Sequence, residues 1–289
     1  MTKLGGIKVK WRGRQGSSNI EDRRGKGIGG KGIIGGGVGL VIVVIITLLG
    51  GNPGELLNNL SMTDSGGNTS YEETAEEKEL AEFVSVVLAD TEKVWKEEFR
   101  KEGLSYKEPT LVLYTGSVNS ACGTAGSAVG PFYCPGDQKL YIDLSFYQEL
   151  QDKFQAPGDF AMAYVIAHEV GHHVQTLLGT SDKIMPLRSK LSEEEFNKYL
   201  VRFELQADYY AGVWANHAQG MGVLESGDLE EALTAATAVG DDTLQKKAQG
   251  YVVPESFTHG TSEQRKRWFY KGFQSGEIED GDTFQAKNL

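Results

Sequence analysis

His168 and His172 stand four residues apart in "AYVIAHEVGHHVQTLLG", residues 163–179, with Glu169 directly after the first. On a helix, positions i and i+4 lie on one face about a turn apart, so the two imidazoles can share one ion. At 3.6 residues per turn Glu169 is rotated about 100° from His168, off the ion but within reach of a water bound to it. This is the H-E-x-x-H arrangement of zinc peptidases, in which the glutamate serves as general base. The residues ahead of it, Ala161 to Ala167, are all apolar or aromatic, as in a helix that crosses a core. Gly171, between the two histidines, leaves room for a close neighbour.

A catalytic zinc takes three protein ligands and keeps a fourth position open. His173, His217, His259 and an acidic residue are the candidates for the third. His173 points about 100° away from His172. His217 lies half a turn round from Asp208 and reads as a surface histidine. In "RFELQADYYAG", Glu204 and Asp208 are again four apart, among Phe203, Leu205, Ala207 and Ala211. Carboxylates on such a face require cations or donors. Glu204 is therefore assigned as third ligand, and Asp208 is placed behind a ligand histidine, fixing its tautomer. One Zn2+ per chain is expected, with Glu169 assisting attack of metal-bound water on a peptide carbonyl. The oxyanion needs a further donor. His259, isolated in "SFTHGTSEQRKRWF", is the candidate, with Tyr209 and Tyr210 as alternatives.

These residues need elements to hold them. Leu80, Phe83, Val84, Val87, Val94, Trp95 and Phe99 recur at three and four, predicting a helix from about residue 72 that stops near Gly103. "TLVLYT" (110–115) and "KLYIDL" (139–144) read as strands, and "SFYQELQDKF" as a short helix. The histidine helix runs from Asp159 to Leu178. A further helix begins at Ser192, whose spacing to Glu195 is that of a capping box, and runs toward Gly220. Residues 228–239 and 261–273 complete the set. The expected class is α+β, mostly helical with a small sheet, and "KLYIDL" is the expected edge for pairing with substrate backbone.

The 289 residues carry a net charge of -11, unevenly spread. Residues 1–50 hold nine basic and two acidic residues; the remainder holds 20 basic and 38 acidic, a net of -18. An acidic body argues against nucleic acid as partner. Residues 32–51, "GIIGGGVGLVIVVIITLLGG", contain no charge and are long enough for one transmembrane helix, with a cleavable signal peptide as runner-up. The expected organisation is a basic cytoplasmic tail (1–31), a transmembrane helix (32–51), a flexible stalk (52–71) and a catalytic domain (72–289). The positive-inside rule puts that domain on the periplasmic or extracellular side of a bacterial cytoplasmic membrane. Outside the reducing cytosol, Cys122 and Cys134 are expected to pair as a disulfide.

With these residues assembled, the chain resembles the bacterial family described as "putative neutral zinc metallopeptidase". The stretches "WRGRQGSSNIEDRRG", "ACGTAGSAVGPFYCPGDQKLYIDLSF", "AHEVGHHVQ", "ELQADYYAG" and "HGTSEQRKRWF" carry the likeness. The resemblance implies a zincin-like fold with Glu as third ligand, His168, His172 and Glu204 on zinc, and Glu169 catalytic. The leading expectation is a membrane-anchored zinc endopeptidase acting on extracytoplasmic proteins or peptides. The alternative is a non-proteolytic envelope binding or assembly factor on the same scaffold. Hydrolysis of a non-peptide amide ranks third.

Overall fold

The computed structural model describes residues 10–26 and 71–289. A four-stranded sheet has the order β1 (Ile20–Asp22), β2 (Thr110–Tyr114), β6 (Lys139–Asp143), β5 (Phe132–Cys134). The first three strands are parallel, with Leu111 opposite Leu140, and β5 runs antiparallel to β6. From their second residue on, β2 and β6 are buried on both faces, which is why each reads as a near-continuous apolar run rather than an alternation. A hairpin of β3 (Ser117–Ser120) and β4 (Gly123–Gly126) stands beside the sheet, and the Cys122–Cys134 disulfide ties it to β5.

Helices make up the rest. α1 (Ala75–Lys101) starts at a capping box of Thr74 and Glu77 and buries Phe83, Val84, Val87, Trp95 and Phe99. After the short α2 (Phe146–Asp152), α3 (Asp159–Leu177) is buried continuously from Phe160 to Gly171. The short α4 (Thr180–Ile184) leads to α5 (Glu193–Gly220), which opens with the expected Ser192/Glu195 capping box. α6 (Asp228–Ala238), α7 (Asp241–Gln249) and α8 (Ser262–Ser275) follow. α5 packs against both α3 and α8. At the α5–α8 crossing a Cβ on Gly212 would stand 2.0 Å from the Phe269 carbonyl oxygen, and one on Gly272 would stand 2.0 Å from that of Tyr209. Only paired glycines permit this approach, and it brings the first turn of α8 beneath the middle of α5.

The small, mostly helical α+β body matches the sequence reading, but its membrane component is corrected. No helix among the described residues is long and apolar enough to cross a membrane. Residues 32–51, where that helix was expected, lie outside the described residues, as does nearly all of the expected stalk. The described residues on its two flanks correct the expected separation of a basic tail from the domain. Residues 10–26, expected as part of a cytoplasmic tail, are built into the domain. Trp11 is buried edge-on against Phe83, and β1 pairs with β2. On the other flank, Arg24 bridges to Glu73 at 2.7 Å. Both flanks therefore pack on one body. Arginines of the basic cluster pair with acidic residues of the body. Arg12 meets Glu79, Arg14 grips the buried Asp90 with both terminal nitrogens, and Arg24 also holds Asp22. Ser17 and Asn19 donate to Glu92 at 2.6 and 2.8 Å.

A second correction concerns the sheet edge. β6 lies between β2 and β5, with Lys139 to Tyr141 paired to β5, so β5 is the edge on that side.

Candidate metal centre and catalytic cavity

α3 and α5 cross with the H-E-x-x-H turn facing Glu204. A Cβ on Gly171 would lie 2.8 Å from the Ala207 carbonyl oxygen, so the glycine lets the two backbones meet where the donors converge. His168 Nε2 is 3.2 Å and His172 Nε2 is 3.4 Å from the same oxygen of Glu204. One donor atom from each of the three residues lies within 4.8 Å of the other two, the arrangement of a single-ion site. Two imidazoles and one carboxylate are the donor set of a catalytic zinc, and these residues fit that ion.

Partners behind the donors fix their orientation. His168 Nδ1 faces Asp208 at 2.8 Å, which directs Nε2 toward Glu204. Asp208 is fully buried and also accepts from Tyr164 Oη at 2.6 Å and from Arg265 Nε and Nη2 at 2.8 and 2.9 Å. His172 Nδ1 faces Gln175 Oε1 at 2.9 Å, and its ring stacks on Phe203. Gln175 in turn donates to the Phe203 carbonyl at 2.7 Å, so α5 also positions the second histidine. Arg265 is the residue that sequence reasoning missed. Its signal was available: an arginine three residues into an amphipathic helix, on the face that carries Trp268 and Phe269 into the core.

The electrostatics follow from burial among charges. Burial opposes ionisation of Asp208, yet Arg265 and His168 bring its carboxyl down to about 2. Burial likewise works against the His168 imidazolium, but Asp208 and Glu204 raise its pKa to about 9. Glu204 is held well below the usual carboxylate range, against burial, by His172 and His259. Glu169 behaves oppositely: burial raises it, and the two neighbouring histidines offset only part of the effect.

His168, Glu169, His172, Glu204 and His259 all border one cavity of about 190 Å³. His259 is held by Asp241, another residue the sequence reading passed over. The Asp241 carboxylate faces His259 Nδ1 at 3.3 Å and accepts the backbone N–H groups of Thr258, His259 and Gly260 at 2.7, 2.6 and 3.0 Å. Burial lowers the His259 pKa, but Glu204 and Asp241 together raise it above the ordinary histidine value.

The remaining candidates lie elsewhere. Tyr209 donates to the Glu277 carbonyl at 2.7 Å, and Tyr210 packs edge-on against Trp95. Neither borders the cavity, which removes both as oxyanion donors. His173 is fully buried; Nε2 donates to the Lys107 carbonyl at 2.6 Å and Nδ1 accepts from Tyr133 at 3.1 Å. It thus tethers the histidine helix to β5. His217 is not a simple surface residue: Nε2 reaches the Gly276 carbonyl at 2.9 Å and the buried Glu98 at 3.1 Å.

Comparison with known proteins bears on the whole chain. Residues 9–284 match the family described as "Putative neutral zinc metallopeptidase". The chain is 49% identical over 286 residues to the uncharacterized protein YpfJ of Escherichia coli (strain K12), covering 96% of this chain and 99% of that one. It is 44% identical over 195 residues to the uncharacterized protein Rv2575 of Mycobacterium tuberculosis (strain ATCC 25618 / H37Rv), covering 64% and 65% respectively. No solved structure matches it.

Proposed function

This chain belongs to the "putative neutral zinc metallopeptidase" family, and we propose that it is a zinc-dependent endopeptidase acting on proteins or peptides. One observation carries the reading: two helices direct His168, His172 and Glu204 to a common point, with Glu169 on the same cavity wall. One zinc ion per chain would be held by those three residues. When bound, it would polarise a scissile carbonyl and make a water acidic enough to ionise near neutrality.

The protein's own groups do the rest. Glu169 accepts a proton from the attacking water and returns it to the leaving amine; its raised carboxyl pKa suits a group that must hold that proton in transit. His259 donates from Nε2 to the developing oxyanion, with Nδ1 anchored on Asp241. Its raised pKa favours the imidazolium, which is a donor at both nitrogens. Asp208, backed by Arg265 and Tyr164, keeps His168 in the metal-binding tautomer. Substrate backbone runs along β5, the sheet edge that borders the cavity through Phe132 and Tyr133. The Cys122–Cys134 disulfide supports an oxidising, extracytoplasmic place of work.

The test is zinc analysis of the purified full chain together with digestion of a mixed peptide library. About one zinc per chain, lost in His168→Ala and Glu204→Ala, with metal-dependent cleavage, is expected. A stoichiometric zinc without cleavage of any peptide would favour a binding or assembly role on this scaffold. Absence of zinc binding would remove both.

A further inference from the structure

Away from the metal ligands the catalytic cavity changes character. Val129, Phe132, Phe146, Phe154, Val165 and Leu244 line it, drawn from the turn before β5, β5 itself, α2, the loop after α2, α3 and α7. Four of them, Val129, Phe132, Phe146 and Val165, are each less than a tenth exposed, so this wall is set into the protein. Val165 lies four residues before Glu169 on α3, hence on the same helix face one turn away. The apolar wall therefore begins beside the carboxylate that must face the reacting carbonyl. The Phe146 ring packs beside Gly130, whose φ is +78°, and the Phe154 ring, 6.0 Å from it centroid to centroid, extends the surface.

Such a wall gains free energy when apolar surface covers it, and it offers no partner to a desolvated charge. An acidic side chain would also face Glu149 and Glu169, which border the same space, while the cations there are already engaged, Arg265 by Asp208 and His259 by Asp241. A basic one gains little from Glu149, already paired with Lys153 at 3.0 Å. Resting on the peptidase reading, we infer that the site selects peptide bonds flanked by one large aliphatic or aromatic residue, whose side chain fills this pocket, and rejects acidic residues there. Leu244, half-buried on α7, and Phe154 sit at the exposed part of the wall and set the preference.

The test uses the zinc-loaded full chain with an unbiased peptide library, product termini being read by mass spectrometry. Leu, Ile, Phe or Met enriched at one position flanking the cut is expected; enrichment of acidic, basic or glycine residues at both positions, or no preference, overturns the inference. Leu244→Lys should shrink the kcat/KM ratio between peptides carrying Leu and Glu at that position by roughly tenfold or more, the scale of single-group discrimination in a pocket. An unchanged ratio refutes the assignment. If no peptide is cut, the peptidase reading fails separately. The pocket is then tested by calorimetry with zinc-binding hydroxamates bearing leucyl or aspartyl side chains. Tighter leucyl binding supports the pocket, and equal or tighter aspartyl binding overturns it.

Discussion

Gly171→Ala places a methyl group where α3 and α5 touch. Alanine is the better helix former by about 1 kcal/mol, so propensity alone predicts a more stable protein. The structure predicts the reverse. The added Cβ would lie 2.8 Å from the Ala207 carbonyl oxygen, 3.1 Å from its Cα and 3.3 Å from its carbonyl carbon. Ordinary contacts are about 3.5–4.0 Å, so the helices must part by several tenths of an ångström, and the obstacle is backbone that cannot rotate aside. Overpacking of this kind costs about 1–3 kcal/mol, outweighing the propensity gain over most of that range. The net loss of up to about 2 kcal/mol should lower Tm by as much as roughly 4–8 °C on the scale of a domain this size. The same parting separates the histidines from Glu204, three residues before Ala207, so zinc affinity should drop about tenfold or more in competition with a chelator. Gly220→Ala, at the open end of α5 with nothing within 4 Å of its added Cβ, should show no such loss. A Gly171→Ala protein as stable as the wild type, with unchanged zinc affinity, would refute the close crossing.

Other outcomes follow from the same contacts. Arg265→Met leaves Asp208 buried without its cation and should cost about 3–5 kcal/mol in denaturant unfolding. Zinc affinity should fall about 10–100-fold with it, and Arg265→Lys should recover only part because it cannot make the paired contact. Burial first, together with the charge of Lys107, lowers the His173 pKa to about 4 against the hydrogen bond from Nε2 to the Lys107 carbonyl. The unfolded chain, near 6.5, therefore binds the extra proton first, and stability is lost as pH falls from about 6.5 to about 4, by an amount on the order of 3 kcal/mol. His173→Gln should flatten that part of the pH–stability curve; an unaltered slope would assign it elsewhere. A chain beginning at residue 71 uncovers β2 and leaves Asp90 and Glu92 without Arg14, Ser17 and Asn19. It should melt well below the full chain or fail to fold, and equal melting temperatures would show that residues 10–26 are dispensable.

Chemistry was more legible in the sequence than topology. Helix spacing alone placed His168 and His172 together, and a second i,i+4 pair pointed to Glu204 and Asp208, because ligands on helices leave a periodic trace. Arg265 and Asp241 left fainter traces: Asp241 has no periodic partner, and Arg265 is marked only by its place on the helix face that carries Trp268 and Phe269, since its partners Asp208 and Tyr164 are far off in sequence. The strands β2 and β6 are continuous apolar runs and were found, whereas β5 has three residues and β3 and β4 are polar or Gly-rich. Mistaking β6 for an edge followed from missing β5. The N-terminal segment has an electrostatic role in the fold that its sequence did not show. Basic residues beside a long apolar run suggest membrane orientation, and only the fold shows that Arg12, Arg14 and Arg24 have acidic partners in the body.

The most direct measurement is peptide hydrolysis by Glu169→Gln beside the wild type, both loaded with zinc and matched in metal content. The exchange keeps the size of the side chain and removes its proton-accepting carboxylate. The three metal donors remain, so the variant should bind one zinc as the wild type does, while kcat falls by roughly 10²–10⁴-fold, the scale of a lost general base. Equal hydrolysis by the two proteins at equal zinc content would contradict the account.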